Sequence, residues 1–517
     1  RPAPMAPRGR AGRPAAGAVL CLAARAGAYD YSRIVEDYCH SSRDWGAIPQ
    51  RPAGAGKLLQ VQVFIRHGSR TQCYAEPCWP GDQEGAFTCG LNYLDNSVGA
   101  GNGPPLTQDF RTEYLPGRNG IPGNCKTGQL VPDGLHMEVA NGERLREAYI
   151  LREKLLPETL REMDGPAMDR SFFLRSTDVP RTKQSGMALF SGLYKDHRHA
   201  RPPYLRLHTM DMSKENMIVN AQNCPAVQLA TDDFLRTYQN MAAVEAMCEE
   251  LGQKVDSTPA SRQKCMDFLG HQMDCLMSRM CPTVPFHPRN ATIPPKYLKD
   301  DAALLRRIWK TVDELQFSYF RAIRRPGIGP FVSEVLSSAT AAAEGRHEAR
   351  PFVLWSGHDT GPMEPLWVAF DLREGPPYWP PFASMLVLEV WNSSTGPLVR
   401  WVSNGVVAGR GAHPWAEFRA QAKGLVPSKA ECQASLPRAA VNKEEEPLQP
   451  AWEAQRLISR PLAVVVPALA GAVLALLSVA ACQSSAAGQN VIGKIRSRSS
   501  SWGSPSSWLL EADALGA

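Results

Sequence analysis

The sequence predicts an α/β fold that carries an α-helical cap insertion and ends in a single C-terminal transmembrane helix. Apolar strands that run into polar side chains alternate with helical patterns toward both ends of the chain. Between them, a block from about residue 205 to residue 330 is mostly helical in pattern. Residues 461–482 carry no charged side chain, and as a helix at about 1.5 Å per residue they are long enough to cross a membrane.

Composition limits the class of protein. The chain has 517 residues, of which 44% are hydrophobic and 21% are charged. These values are near the average of globular proteins, and they exclude a wholly disordered chain and a protein with many membrane spans. Thirteen cysteines are many for a cytosolic enzyme, so they indicate an oxidising compartment or a metal site.

The net charge of +6 suggests a nucleic-acid partner until its location is considered. Residues 1–28 contribute +5 and residues 483–517 contribute +1, which leaves 49 basic and 49 acidic side chains between them. The excess charge therefore belongs to targeting and membrane topology. We predict no nucleic-acid partner.

The two ends of the chain predict a type I membrane protein. Residues 1–28 combine arginines, a short alanine-rich apolar stretch and a small-residue cleavage site, which is typical of a secretory signal peptide; a disordered leader is the alternative. Residues 436–460 read as a solvated stalk before the membrane, and residues 483–517 as a cytoplasmic tail. The catalytic part would then lie in the lumen of a lysosome or outside the cell. Two sequons, at Asn290 and Asn392, are predicted glycosylation sites there.

Strand and helix patterns divide the luminal part into a core and a cap. Residues 58–65 and 171–174 predict strands, residues 141–160 predict a helix, and another helix is expected to begin near Pro180. Residues 82–129 are rich in Gly, Asn and Pro and predict a long loop. This first part of the α/β core covers residues 29–204.

The cap and the second part of the core follow. The predicted cap, residues 205–330, contains helical patterns over 241–254, 262–280 and 301–325. In the second core part, residues 331–435, strands are predicted over 351–355, 385–391 and 398–402. Four cysteines, Cys248, Cys265, Cys275 and Cys281, could make two bridges inside the cap, with three connectivities open.

Side chains suited to phosphate chemistry follow three of the predicted strands. Ligands of open α/β sheets bind beyond the carboxyl ends of strands, so these side chains are expected to meet at one crevice. The guanidinium fork matches phosphoryl oxygens, an imidazole can attack phosphorus, and a carboxylic acid can protonate a leaving oxygen. The three sets are Arg66, His67 and Arg70; then Arg175; then His358 and Asp359.

These segments resemble the signatures of a known family. Arg66-His67-Gly68-Ser69-Arg70 resembles the RHGxR motif of the histidine acid phosphatases, a branch of the histidine phosphatase superfamily. His358-Asp359 resembles the HD pair of that branch, and residues 175–182 resemble its RSTDxxRT segment. The similarity runs with gaps from about residue 58 to residue 432. The predicted architecture is similar to that of lysosomal, testicular and prostatic acid phosphatases.

The resemblance implies a fold and a chemistry. The fold would be a histidine-phosphatase-like three-layer core with a mostly parallel sheet. The chemistry would be hydrolysis of phosphate monoesters through a covalent phosphohistidine, with no metal or other cofactor. His67 would be the nucleophile and Asp359 the proton donor. Phosphate would be bound by Arg66, Arg70, Arg175 and His358.

Other implications and alternatives stay open at this stage. The resemblance implies a disulfide between Cys224 and Cys432, whereas Arg181 is expected to be structural or to start a helix. Asp359 could instead cap a helix, and Arg175 could merely pair with Asp178. A phytase-like or phosphosugar-specific phosphatase of the same branch is the nearest alternative function, and an inactive ectodomain that binds phosphorylated ligands is the other. The partners expected are a phosphomonoester and the membrane, and a homodimer is left open.

Overall fold

The structure, a computed structural model, describes residues 35–434 apart from short gaps. The gaps are 40–44, 75–76, 80–85, 88, 90–114, 116–117, 119, 122, 196–204, 282–285, 288–292 and 374. The chain divides into two units, residues 1–447 and residues 448–517, and every described residue belongs to the first. The predicted signal peptide, the sequon at Asn290, the stalk and residues 461–517 lie outside the described residues.

A mixed seven-stranded sheet is the centre of the described part of the chain. In chain order the strands are β1 (Ala55–Arg66), β2 (Ala86–Phe87), β3 (Phe172–Ser176), β4 (Leu207–His208), β5 (Phe286–His287), β6 (Phe352–Gly357), β7 (Met385–Ser393), β8 (Leu398–Ser403) and β9 (Val406–Pro414). The sheet order is β4-β3-β6-β1-β7-β8-β9, and β2 pairs separately with β5.

The prediction of a mostly parallel sheet is wrong, although the α/β class is confirmed. The pairs from β4 to β1 are parallel, and the pairs from β1 to β9 are antiparallel. β7, β8 and β9 follow one another through short turns, which can join only antiparallel neighbours because a parallel crossover needs a dozen or more residues.

Helices cover both faces of the sheet. They are α1 (Pro132–Leu145), α2 (Gly165–Ser171), α3 (Pro180–Leu193), α4 (Ala226–Thr237), α5 (Met241–Glu250), α6 (Pro259–Met280), α7 (Pro295–Ala343), α8 (Met363–Ala369), α9 (Trp415–Leu425) and α10 (Lys429–Cys432). Short helical turns of other types occupy Arg146–Arg152, Leu160–Glu162 and Met212–Lys214.

Strand β1 shows how the layers are built. Its side chains at Val63 and Ile65 pack with α1 and α3, whereas Phe64 packs on the opposite face with α7, α8 and α9. Successive side chains of a strand point to opposite faces, so the apolar run of β1 is buried on both faces of the sheet. The carboxyl end of β1 is therefore held rigidly between two helical layers.

Two helix predictions had the wrong bounds. The helix predicted over 141–160 begins earlier, at Pro132, a residue favoured in the first helical turn. The helix predicted over 301–325 extends through Pro326 and Pro330 to Ala343. Ile328 and Phe331 between and beside these prolines are fully buried, so packing against the sheet outweighs the backbone hydrogen bonds that proline removes.

The predicted single transmembrane helix is the second correction to the fold class. Among the described residues, no helix is both long and apolar enough to cross a membrane. Helix α7 has 49 residues, but charged side chains such as Arg307 and Asp313 occur along it. Residues 461–482, on which the prediction was based, lie outside the described residues.

Five disulfides connect cysteines within the described residues. They join Cys39 to Cys281, Cys78 to Cys275, Cys89 to Cys125, Cys224 to Cys432, and Cys248 to Cys265. The bridge between Cys224 and Cys432 is the one that the resemblance implies. The prediction of two bridges inside the cap is wrong, because Cys275 and Cys281 pair with cysteines far back along the chain.

Cys275 and Cys281 pair with these distant cysteines because of the position of α6. This helix lies against the loop that follows β1, where Gln272 donates a hydrogen bond of 2.9 Å to the Cys78 carbonyl. Cys78, His271 and Cys275 also come together with potential metal-ligand atoms within 4.8 Å of one another. The disulfide uses both sulfurs, so neither is a thiolate that could hold a metal.

Candidate active site

The carboxyl ends of β1, β6 and β3 bring the three predicted segments together. These strands are adjacent and parallel. The backbone N–H of His67 donates to the Gly357 carbonyl at 3.0 Å, and that of Thr177 donates to the Ser356 carbonyl at 3.1 Å. The sheet thus places His67 and His358 with ring centroids 5.5 Å apart.

His67 presents one ring nitrogen for chemistry. Its side chain is 1% exposed, and Nδ1 lies 2.9 Å from the Gly68 carbonyl oxygen. A carbonyl oxygen can only accept, so Nδ1 carries the hydrogen and Nε2 carries the lone pair. Nε2 is buried and has no hydrogen-bond partner among the described residues. The lone pair of a neutral imidazole is therefore directed into the site.

Gly68 is required by a close backbone approach. A Cβ at this position would lie 2.1 Å from the carbonyl oxygen of Gly134, near the start of α1. The Gly68 N–H donates to Ser185 Oγ of α3 at 3.1 Å. The loop that contains His67 is thereby held between α1 and α3, and any larger residue at position 68 would displace it.

His358 is held as a neutral ring by Thr177 and Arg181. Its Nδ1 lies 3.3 Å from Arg181 Nη2, which can only donate, so Nδ1 accepts. Its Nε2 lies 3.0 Å from Thr177 Oγ1 and therefore donates to it. In this arrangement both ring nitrogens of His358 have protein partners.

Arg181 enters the site, which the sequence analysis did not predict. It is the second residue of α3 and is 4% exposed, and it lies beside His358. Its charge is also a leading cause of the lowered pKa of His67, after burial. The first turn of α3 therefore brings a guanidinium to the two histidines.

Arg175 occupies a different place from the one expected. Its Nη1 donates to Glu334 at 2.6 Å, and its Nη2 donates to Glu215 and, at 2.9 Å, to Asn216. The guanidinium also lies over the ring of Trp355, on the sheet face that packs against α7. Arg175 is thus neutralised by two carboxylates and is not paired with Asp178, which forms an ion pair with Lys183.

Asp359 is linked to Arg66 and to an indole. Its Oδ2 lies 2.9 Å from Arg66 Nη2 and accepts a hydrogen bond of 2.7 Å from Trp379 Nε1. Its Oδ1 accepts the N–H of Thr360 at 3.0 Å. Helix α8 begins at Met363 without a side-chain cap, so Asp359 does not cap it.

The other two motif arginines are also anchored. Arg66 donates to the Pro380 carbonyl at 2.6 Å and to the Tyr38 hydroxyl at 2.5 Å, and it is fully buried. Arg70 forms an ion pair of 2.6 Å with Asp274 of α6. Their guanidinium groups are fixed in the site before any substrate binds.

Burial and positive charge set the protonation states. Burial lowers the pKa of His67 and of His358 well below the usual range, and Arg181, Arg70 and Arg66 lower both further. Burial alone would raise the pKa of Asp359, but Arg66, the Trp379 hydrogen bond and Arg70 together lower it. These shifts favour the neutral form of both imidazoles and the ionised form of Asp359.

Comparison with known proteins identifies the family. Residues 57–404, more than half of the chain, match the model of the histidine phosphatase superfamily (branch 2). The chain belongs to this superfamily. The predicted family and the predicted class, a phosphoric monoester hydrolase of the histidine phosphatase type, are thereby confirmed.

Named relatives cover most of the matched region. The chain is 29% identical to Counting factor 60 of Dictyostelium discoideum over 352 residues, which cover 65% of this chain and 76% of that protein. It is 24% identical to human 2-phosphoxylose phosphatase 1 over 376 residues, with coverages of 68% and 71%. It is 26% identical to bovine lysophosphatidic acid phosphatase type 6 over 365 residues, with coverages of 67% and 77%.

Among solved structures, the apo form of Hafnia alvei phytase aligns with a TM-score of 0.47 at 14% identity. It covers 74% of this chain and 100% of the phytase chain.

Three contributors to this phosphatase site escaped the sequence analysis. Arg181 had a signal, because a cation in the first turn of a helix that follows a site strand points toward the strand ends. Asp274 and Trp379 had none, because they reach the site from a distant helix and from the segment before β7.

Proposed function

We propose that this phosphatase hydrolyses phosphate monoesters in an acidic lumen, with His67 as nucleophile and Asp359 as proton donor. The observation that carries the proposal is the buried lone pair on His67 Nε2, which has no partner among the described residues and lies among guanidinium groups. A phosphoryl group fits this place because its negative charge complements the guanidinium groups of Arg181, Arg70 and Arg66, which lower the pKa of His67.

The reaction has two steps. In the first, His67 Nε2 forms a bond to phosphorus while the ester P–O bond breaks, and the proton of Asp359 goes to the departing alkoxide oxygen. In the second, water attacks phosphorus and gives a proton to Asp359 while the N–P bond breaks. Inorganic phosphate leaves, and both residues return to their starting states.

Three arginines are proposed to hold the phosphoryl oxygens: Arg66, Arg70 and Arg181. This revises the predicted set, since Arg181 replaces Arg175. Each of the three lowers the pKa of His67. The hydrogen bonds of Arg175 go instead to Glu215, Asn216 and Glu334. His358 then supports the site mainly through its bonds to Arg181 and Thr177.

The protonation states favour acidic pH. Neutral His67 is required as nucleophile, and its lowered pKa keeps it neutral in acid. A phosphate monoester loses its second proton at about pH 6, so below that pH the substrate binds as a monoanion that brings a proton. Its negative charge offsets Arg66 and Arg70, which raises the affinity of Asp359 for that proton.

Disulfides and one exposed sequon support a place in the secretory pathway. Disulfides persist in oxidising compartments and are rare in the cytosol. The described residues contain five of them. Asn392, the sequon within the described residues, is exposed on β7 and accessible to glycosylation.

The test is hydrolysis of 4-nitrophenyl phosphate by the full-length protein. We expect faster turnover near pH 5 than near pH 8, full activity in EDTA, and no turnover by His67→Ala. Wild-type activity that requires an added metal, or full activity of His67→Ala, would contradict the proposal. Thermal unfolding of the variant verifies that it folds.

A phosphosugar is the second candidate substrate class. Several relatives are named 2-phosphoxylose phosphatase 1, and they match 68% of this chain. Comparing kcat/KM for xylose 2-phosphate, glycerol 3-phosphate, lysophosphatidic acid and inositol hexakisphosphate would decide between a selective and a general phosphatase. A preference for the sugar phosphate of more than about 100-fold, roughly 3 kcal/mol, would favour this candidate.

A further inference from the structure

We propose that Trp379 is a positioning residue that holds the carboxyl group of Asp359 in place for proton transfer. This inference rests on the proposed function, in which Asp359 is the proton donor. Trp379 lies in the segment that precedes β7, outside the motifs that identify the family.

The hydrogen bonds of Asp359 divide its two oxygens into different roles. Oδ2 faces two donors, Trp379 Nε1 at 2.7 Å and Arg66 Nη2 at 2.9 Å. Oδ1 accepts one backbone N–H, from Thr360 at 3.0 Å. Two strong donors favour negative charge on Oδ2, so a proton bound by this carboxyl group resides on Oδ1. The indole thereby selects the oxygen that donates.

Trp379 is itself fixed independently of Asp359. Its backbone N–H donates to Asp313 Oδ1 of α7 at 2.6 Å. Its indole stacks on Trp309 of the same helix, with ring centroids 5.2 Å apart and an interplanar angle of 29°. The side chain is 6% exposed. A rigid donor keeps its direction while the substrate comes and goes, which a mobile water could not do.

An indole suits this role chemically. Its N–H can donate but never accept, so it does not compete for the proton that Asp359 transfers. It also carries no charge, so it orients the carboxyl group without adding to the strong positive charge of Arg66. A hydrogen bond to the ionised form stabilises that form, and loss of the bond should make Asp359 hold its proton to higher pH.

Several ionisable groups face Asp359 from the elements around it. Arg66 and Arg70 come from the nucleophile segment, and Tyr38 lies beside Arg66. Glu364 of α8 interacts electrostatically with both Asp359 and Asp313. Burial raises the pKa of Asp313 to about 6 and that of Glu364 well above its usual range. These groups differ from Asp359 but lie near it, so the test needs a control variant that keeps all of them.

The test compares Trp379→Phe with Trp309→Phe in the full-length protein. Each variant replaces one ring of the same stacked pair, but only the first removes the hydrogen bond to Asp359. The readout is kcat between pH 3.5 and pH 8 for glycerol 3-phosphate, whose leaving group needs a proton, and for 4-nitrophenyl phosphate, whose leaving group needs one less. Trp379→Leu also lacks the N–H and serves if the phenylalanine variant does not fold.

For Trp379→Phe we expect the alkaline limb of the profile of kcat against pH to shift to higher pH by about one unit. The maximal kcat should fall about tenfold with glycerol 3-phosphate and less than about threefold with 4-nitrophenyl phosphate, since only the former relies on the positioned acid. Trp309→Phe should keep the wild-type limb and lose the same factor on both substrates.

Different outcomes separate the inference from the function beneath it. Identical limbs and identical substrate ratios in the two variants would overturn the role of Trp379 while leaving the phosphatase intact. An Asp359→Asn variant with wild-type kcat on glycerol 3-phosphate would instead overturn Asp359 as the donor, and the role of Trp379 with it.

Discussion

Replacing Arg181 and Arg175 in parallel separates phosphate binding from fold stability. Both are buried and both belong to the segment that resembles the RSTDxxRT motif. Arg181 lies at the histidines, 3.3 Å from His358 Nδ1, whereas Arg175 is held by Glu215 and Glu334. The structure therefore predicts that a variant at Arg181 loses catalysis and that a variant at Arg175 loses stability.

The magnitudes follow from the contacts. A hydrogen bond to a charged group contributes about 1.5–3 kcal/mol, so a guanidinium that binds a phosphoryl group through two N–H groups contributes about 3–5 kcal/mol. Arg181→Ala should thus lower kcat/KM by roughly 150- to 5,000-fold. Arg175→Met should cost about 3–5 kcal/mol of unfolding free energy at pH 8, because it leaves Glu215 buried without its cation.

The stability loss of Arg175→Met is expected to depend on pH. Burial raises the pKa of Glu215 even with Arg175 beside it, and loss of Arg175 raises it further. A carboxyl group whose folded pKa lies above its unfolded value stabilises the fold in acid, and this stabilisation is lost as the pH rises. The stability loss of Arg175→Met should therefore be smaller at pH 5 than at pH 8.

The assay measures kcat/KM for 4-nitrophenyl phosphate at pH 5 together with thermal unfolding at pH 5 and pH 8. A folded Arg175→Met protein should keep kcat/KM within about tenfold of wild type. If it instead loses as much activity as Arg181→Ala without losing stability, Arg175 binds the phosphate and the revised assignment is wrong.

Two further predictions concern carboxylates near the site. Asp274→Asn removes the charge that holds Arg70, so we expect KM to rise about tenfold with a smaller change in kcat; unchanged KM would contradict a role for α6 in placing Arg70. Glu364 is fully buried, and neither of its oxygens has a hydrogen-bond partner among the described residues. Because burial raises its pKa, wild-type stability should fall as pH rises above about 4.5. Glu364→Gln should reduce that fall, to which Glu215 and Asp313 also contribute, and stabilise the protein by about 1–3 kcal/mol at pH 7, with less effect at pH 5. A stability gain that does not depend on pH would contradict this account of Glu364.

The sequence was sufficient where function depends on local order along the chain. The apolar run before Arg66 predicts a buried strand, and the residues just beyond such a strand lie at the ligand edge of the sheet. His67, His358 and Asp359 are brought together for this reason. Strand β1, Ala55–Arg66, contains the predicted strand 58–65 and extends beyond it at both ends.

The sequence was insufficient where the composition of the site depends on the direction of a side chain or on contacts between distant segments. Arg175 lies inside β3, where the period of two turns it away from Leu174 and toward α7. Arg181 lies in the first turn of the next element, α3, and contacts His358 at the strand ends. The positions of Asp274 and Trp379, and of the cysteines that pair with Cys275 and Cys281, depend on how α6 and α7 pack, for which the chain carries no local signal.

The central claim is that the phosphoryl group is transferred to His67 and forms a covalent phosphohistidine there. Rapid quenching of Asp359→Asn with a ³²P-labelled aryl phosphate at pH 5 tests it directly, since this variant should form the phosphoenzyme and hydrolyse it slowly. We predict a label that is stable in alkali and lost in acid, located by mass spectrometry on His67, and absent from the double variant with His67→Ala. A label on another residue, or turnover without any labelled protein, would contradict the mechanism.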